Sequence, residues 1–263
     1  MDADSRARAL GYPYGAPRGD CVWVDGRTVP LEGSNVNAIA GALDAVGADP
    51  RAKRTPILAI GSNRAPVQLA RKFADFPKPC AVIVARAVLK DFDVVYGAGI
   101  AGYGAVGGAT LAPSPGTAVE VWATWLDDAQ LARMHETEGL AAGVYALLEL
   151  QQIDLVFDAG PVWSSVLAYV QRSGALNLGG APTALAEIPA KGRRFQALRQ
   201  TELQGLLRDR FAPGLPLDRF VEENVEALSI RQARTATLRK TAIPFDWPHK
   251  QDRTPRHLWQ EPR

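Results

Sequence analysis

The chain is short of the residues that most catalytic kits are built from. Its two cysteines, Cys21 and Cys80, stand far apart in 263 residues and match no metal-ligand spacing. Two free thiols are the plain reading. Histidine is as scarce: His135, His249 and His257 are the only three, and the last two fall in a proline-studded tail. Without a Cys/His/Asp/Glu cluster at zinc spacing, neither a metal nor any other cofactor is expected. There is no Gly-x-x-x-x-Gly-Lys phosphate loop and no Gly-x-Ser-x-Gly elbow. Charge of one sign is also lacking. The formal net charge is +2, which argues neither for nor against nucleic acid. Residues 189–263 lean basic, with fifteen Lys/Arg against nine Asp/Glu, and solvated helix faces account for such an excess, so no nucleic-acid partner is expected. No run approaches the roughly 20 apolar residues that span a bilayer. Met1 to Tyr14 carries charges and a proline but no apolar stretch, so a secretory signal is not read there. The expected setting is cytoplasmic, away from membranes.

What is present is the makeup of a globular protein. Apolar residues form 47% of the chain and charged ones 22%, enough for a full core over one large domain or one domain with extensions. Residues 1–53 are rich in Gly, Pro and Ala, with an apolar piece Cys21 to Val24 before the turn signal Asp25-Gly26. A helix is read over Asn35 to Val46 through Ile39, Leu43 and Val46. This stretch is expected to pack as an extension on a main domain over 54–188.

That domain opens with the strand Pro56 to Ile60, which runs into Gly61-Ser62-Asn63, and a helix over Pro66 to Phe73 follows. Cys80 to Val88 is the next strand. Asp91 to Thr110 is glycine-rich: Gly97, Gly99, Gly102, Gly104, Gly107 and Gly108. The Gly-x-Gly-x-x-Gly spacing occurs twice, but no helix opens on either copy, so the dinucleotide reading fails for lack of context. Such a segment lets backbone approach a ligand, or forms a flexible hairpin end. Ala118 to Leu126 reads as a strand. A helix capped by Asp127 or Asp128 then runs to about 138 and stops at Gly139. Gly143 to Leu155 and Val162 to Val170 are two more strands. Five or six strands with two short helices point to an α+β fold with a mixed, barrel-like sheet. Helical spacing returns over Arg194 to Phe211 and Leu217 to Lys240, giving a helical extension over 189–243 and an extended tail over 244–263. In the tail, Trp247 and Trp259 are candidates to cover the site or a neighbouring subunit.

With the common kits excluded, a carboxylate remains. Glu138 ends the helix Met134-His135-Glu136-Thr137-Glu138, where the negative end of the macrodipole disfavours a charged carboxylate. Partial burial would act in the same direction, and a general base working near neutral pH is built that way. A surface glutamate at a helix end is the plain alternative. His135, three residues earlier, reads as a packing or surface residue. Ser62 lacks a nearby histidine to act as its base. Trp122 and Trp125 point to opposite faces of one strand and read as core.

Several of these pieces share an order with a known family. Gly107-Gly108-Ala109-Thr110, Ser114-Pro115-Gly116, Val119-Glu120-Val121-Trp122, Leu126, Leu131, Glu138-Gly139 and Gly143-Val144-Tyr145 resemble γ-glutamylcyclotransferases. There a glycine-rich segment leads through a Ser-Pro-Gly turn, a strand and a short helix to a Glu-Gly element. Gly61-Ser62-Asn63 resembles the family's Tyr-Gly-Ser-Asn loop, and Asp91-Phe92 a segment further on. The resemblance covers about 55–185. It implies Glu138 as the catalytic acid/base, Gly61, Ser62 and Asn63 as the loop whose amides hold the glutamyl group, and Tyr145 beside them. It further implies an enzyme that closes a γ-glutamyl amide to 5-oxoproline, without a cofactor, acting on a small γ-glutamyl substrate. Ile60 stands where the family usually has tyrosine, a departure that need not abolish catalysis but leaves open whether the familiar substrates apply. A binding module without catalysis, or an amide hydrolase or acyltransferase on the same scaffold, are the alternatives. The sequence leaves the leaving amine and the oligomeric state open, a homodimer included.

Overall fold

Two long strands organise the molecule. The computed structural model describes residues 2–32, 36–158 and 160–258; Trp259 and Asn35 lie outside them. Helix α1 (Ala3–Leu10) precedes a hairpin of β1 (Cys21–Val24) and β2 (Arg27–Pro30). Its two-residue loop is Asp25-Gly26, both at positive φ (48° and 88°), the twist that suits a tight hairpin. Helix α2 (Val36–Ala45) buries Leu43 against Val22, Val24 and Ile83. Then come β3 (Thr55–Ala59), a 3₁₀ turn (Ser62–Arg64), α3 (Pro66–Lys72), β4 (Ala81–Tyr96), β5 (Ala109–Leu126), α4 (Asp128–Thr137), β6 (Tyr145–Phe157) and β7 (Val162–Gln171).

The five strands β3 to β7 close on themselves. β5 pairs β3, β3 pairs β7, β7 pairs β6, β6 pairs β4, and β4 returns to β5. All pairings are antiparallel except β3 with β7, so the fold is α+β with a mixed, barrel-like sheet, as the strand count implied. Closure removes the edges that an open sheet would expose. Inward-facing Leu58, Leu89, Val94, Leu111, Val121, Leu150, Leu155 and Val170 fill it, each with at most 2% of its surface exposed. At about 25 cal/mol per Å2 of apolar surface, each such side chain contributes about 1.5–3 kcal/mol. A second apolar layer, with Trp23, Leu69, Trp122, Leu126 and Met134, lies between the outside of the sheet and helices α3 and α4.

β4 and β5 are both longer than their hydrophobic runs suggest. Asp91 at φ 62° bulges β4, and Ser114-Pro115-Gly116 lies opposite it inside β5, with Phe92 paired to Pro113 and Lys90 to Ala118. The Asp91 carboxylate accepts from Gly116 N–H at 2.8 Å, which satisfies the interrupted ladder. The expected turn is therefore a bulge within a continuous pair.

The flanking segments join this sheet. β1 pairs the start of β4, Ala190–Lys191 pairs β5, and Lys250–Asp252 pairs β6. The helix expected from Arg194 begins only at α5 (Gln200–Phe211), because Ala197–Leu198 is taken up in a parallel pairing with Ala184–Leu185. The single helix expected over 217–240 is two, α6 (Leu217–Glu226) and α7 (Leu228–Arg239), broken at Ala227, whose φ −101° and ψ 92° are not helical. Among the described residues no helix is long and apolar enough to cross a membrane.

Candidate functional site

One end of the barrel gathers the exit of β3, the exit of β4, the start of β5, the start of β6 and the exit of β7. A cleft of about 600 Å3 opens there. Ile60, Gly61, Ser62, Asn63, Glu138 and Tyr145, all singled out in the sequence, line it.

Helix α4 delivers Glu138. Its N-terminus is fixed by a capping box: Asp127 accepts from Gln130 N–H at 2.8 Å and Gln130 from Asp127 N–H at 3.1 Å. Glu138 is the C-cap, its N–H bonded to Met134 carbonyl, and Gly139 at φ 64° turns the chain away. The sequence reading treated this carboxylate as solitary. In the structure Oε1 of Glu138 accepts from Lys72 Nζ at 2.5 Å and from Asn63 Nδ2 at 3.1 Å. Lys72 is 5% and Glu138 14% exposed, so the ion pair is enclosed on the lysine side and reaches the cleft on the other. Lys72 Nζ also lies 3.1 Å from Met134 Sδ. One amide and one ammonium thus lock a single carboxylate oxygen.

Gly61 follows β3 directly, and the 3₁₀ turn closes with Ala65 N–H on Ser62 carbonyl at 2.9 Å. The first N–H groups of such a turn have no partner inside it. A side chain at 61 would collide: a Cβ there would lie 2.6 Å from the Tyr12 hydroxyl and 2.8 Å from Ala109 Cβ. Glycine is required here by close approach. Ile60 is buried, at 5% exposure, and gives the cleft an apolar patch where a hydroxyl would be polar.

Tyrosines and one glutamine complete the wall. The Tyr145 hydroxyl donates to Ala109 carbonyl at 3.2 Å and accepts from Gln171 Nε2 at 3.0 Å. Gln171 Nε2 also donates to Gly108 carbonyl at 2.9 Å. Burial, with Glu138 close by, pushes the Tyr145 phenol above its ordinary value. Tyr169 is shifted the same way by burial and by Glu138. Both stay protonated and neutral over the physiological range. His135 is buried rather than catalytic in placement: its Nδ1 lies 2.7 Å from the Tyr169 hydroxyl, and burial lowers its pKa.

The glycine-rich loop between β4 and β5 forms the remaining side. It is held, not loose. Ile100 N–H donates to Thr235 Oγ1 at 3.2 Å, and Gln204 Nε2 to Gly104 carbonyl at 2.9 Å. Gly104 at φ 90° faces Val221, Val225 and Ala9. Arg8 stacks over the Tyr103 ring at 4.8 Å. Around the cleft, beside the Lys72–Glu138 pair, stand Arg8, Arg71 and Arg239, and Arg133, itself ion-paired to Asp75 and Glu136, so the rim leans cationic and favours anionic ligands.

Lys72, Tyr12 and Gln171 were not found in the sequence. Lys72 follows Leu69 by three residues and so shares its face of α3, but a lysine there is ordinarily read as solvated. Tyr12 belongs to Tyr12-Pro13-Tyr14-Gly15, whose aromatic density was the one available signal. Among the described residues no three His, Cys, Asp or Glu side chains gather as metal ligands would.

No protein-family model and no curated protein matches the chain. Among solved structures it is similar to one titled gamma-glutamyl cyclotransferase, at 16% identity over 78% of this chain and 96% of that one, with a TM-score of 0.38. It is similar also to an uncharacterized protein from Homo sapiens, at 18% identity, the same two shares and a TM-score of 0.35. Likenesses of this degree assign no reaction and no residue role.

Proposed function

We propose that the chain is an enzyme that cleaves γ-glutamyl amides by cyclisation, with Glu138 as the general acid/base. The observation that carries this reading is the Lys72–Glu138–Asn63 cluster, which joins the end of α4 to the Gly61-Ser62-Asn63 turn at one cleft. Both donors take Oε1, which leaves Oε2 for a reacting proton. The substrate's α-amine, once Glu138 has removed its extra proton, attacks the γ-carbonyl carbon. A carbon–nitrogen bond forms, and the carbonyl oxygen takes up negative charge. As the charge returns, the bond to the departing amine breaks, Glu138 hands that nitrogen the proton it took, and the freed carboxylate then accepts the second proton from the attacking nitrogen, which becomes the lactam N–H. The products are 5-oxoproline and a free amine. Because the nucleophile belongs to the substrate, holding it in a folded conformer supplies much of the rate. The turn amides and the cationic rim serve that purpose, gripping the α-carboxylate and the acyl oxygen.

The test is 5-oxoproline release from γ-glutamyl amino acids, glutathione and γ-glutamyl alkylamines, with Glu138→Gln alongside. The amide keeps an oxygen for Lys72 and Asn63 but cannot shuttle a proton. Its turnover is expected to fall about 10²- to 10⁴-fold, with substrate binding by calorimetry retained. Turnover equal to the wild type would remove Glu138 from the chemistry. Binding without turnover in the wild type would make the chain a binding module instead.

A further inference from the structure

The cleft wall holds a polar group that the proposed acid/base leaves unused. Tyr12 comes from the segment before β1, and its side chain is packed into the barrel-end core at 4% exposure. Its hydroxyl accepts from Ala109 N–H at 2.6 Å. The same oxygen lies 2.6 Å from where a Cβ on Gly61 would be. It is therefore pinned between the start of β5 and the turn that follows β3, and Tyr12 lines the same cleft as Glu138.

A phenol that accepts from a backbone amide still has its own proton to give. Tyr145 spends its proton on Ala109 carbonyl, and Tyr96 spends its own on Leu198 carbonyl at 2.9 Å. Among the described residues the Tyr12 proton has no acceptor. Burial, with Tyr145 beside it, holds this phenol well above its ordinary value, so it acts as a neutral donor and not as an acid. A neutral donor, fixed before substrate arrives and shielded from water, is what stabilises an oxygen as it takes up charge, since nothing has to reorganise.

We infer that the Tyr12 hydroxyl is a hydrogen-bond donor to the acyl oxygen of the scissile amide at the Gly61 turn. The inference rests on the cyclisation reading above. It gives the N-terminal segment a place in the chemistry, since that segment brings a donor to a turn whose own residue 60 is isoleucine. The hydrogen bond strengthens as the carbonyl oxygen becomes an oxyanion, so its loss falls on kcat more than on KM.

The experiment is steady-state 5-oxoproline release by the full chain and its Tyr12→Phe variant, on whichever γ-glutamyl amide of the panel the wild type turns over fastest. The expected result is a kcat lower by about a hundredfold with KM within about twofold of the wild type. A variant kcat within about twofold of the wild type overturns the role of Tyr12 and leaves the reaction standing. A raised KM at unchanged kcat overturns it as well, since that is ground-state binding. No release by the wild type on any compound removes the reaction and the role together. Because the phenylalanine also orphans Ala109 N–H, far-UV circular dichroism checks that the variant is folded. If it is not, 3-fluorotyrosine at position 12, placed by site-specific incorporation, keeps the acceptor and makes a stronger donor. It is then expected to raise kcat about twofold, and an unchanged kcat overturns the proposal.

Discussion

At the residue scale the site turns on a pair that only one half of the sequence announced. Glu138 was singled out in the sequence at a helix end before glycine, but position alone read as well as a surface residue, and only the resemblance put it forward as the acid/base; the structure places it at the cleft. Lys72 was not legible. It lies three residues after Leu69 on α3, and lysine at such a position is usually read as a solvated face; here it is 5% exposed. Removing one partner of an enclosed pair leaves the other charge without compensation. Lys72→Met is therefore expected to lower unfolding stability by about 1–3 kcal/mol, less than for a fully buried pair because Glu138 reaches the cleft water. In Lys72→Met/Glu138→Gln the two losses are expected to overlap, with a coupling of about 1–2 kcal/mol. Urea denaturation of the wild type and three variants reads this directly. Losses that simply add would mean that the two groups do not support each other. His135 shows the same limit from the other side. The sequence read it as a packing or surface residue, but its bond to the Tyr169 hydroxyl joins residues 34 positions apart on two elements.

At the element scale the sequence was legible where a rule is local. Asp25-Gly26 named its hairpin, the capping residue of α4 was one of two adjacent aspartates, and the alternation through Val119, Val121 and Ala123 matched the inner face of β5. It misled where a local break sits inside a long-range pairing. Ser114-Pro115-Gly116 has every mark of a turn, yet β4 opposite it carries its own bulge at Asp91 and the ladder resumes. The early start assigned to α5 has the same origin, because helical spacing over Arg194 to Arg199 lost to pairing with Ala184–Leu185. Close approach was also invisible. Gly61 has no positive φ, so no turn rule marks it, and the need for glycine comes from the Tyr12 hydroxyl and Ala109. Gly61→Ala is expected to destabilise by about 1–3 kcal/mol through overpacking. Gly205→Ala in α5, where nothing lies within 4 Å of the added carbon, is expected to stabilise by about 0.5–1 kcal/mol. Equal denaturant midpoints for the two variants would mean that the turn yields freely and that the contact does not constrain it.

At the scale of the whole molecule, the barrel positions the site and the flanking segments enclose it. Arg6 in α1 pairs with Asp218 in α6 at 2.7 Å, which ties the N-terminal segment to the C-terminal helices across the glycine-rich loop. Arg193 grips the fully buried Asp93 through two nitrogens, at 2.9 and 3.0 Å, and fastens the return of the chain to β4. Of the two tail tryptophans, Trp247 packs on Phe92 with ring centroids 4.8 Å apart and donates from Nε1 to Gln151 carbonyl at 2.9 Å, so it covers the barrel's flank. None of these pairings joins neighbours in sequence, which is why reading the sequence could not dock the flanking segments. Their common effect is to enclose a cleft that holds one carboxylate and neutral tyrosines, the place where the proposed cyclisation would occur.

The measurement that tests this most directly is product analysis by mass spectrometry after turnover of a γ-glutamyl amide in H2¹⁸O. Cyclisation admits no water, so the account predicts free amine and 5-oxoproline with no heavy oxygen. Glutamate carrying one ¹⁸O in its γ-carboxylate would contradict it, because water and not the substrate's own amine would then be the nucleophile.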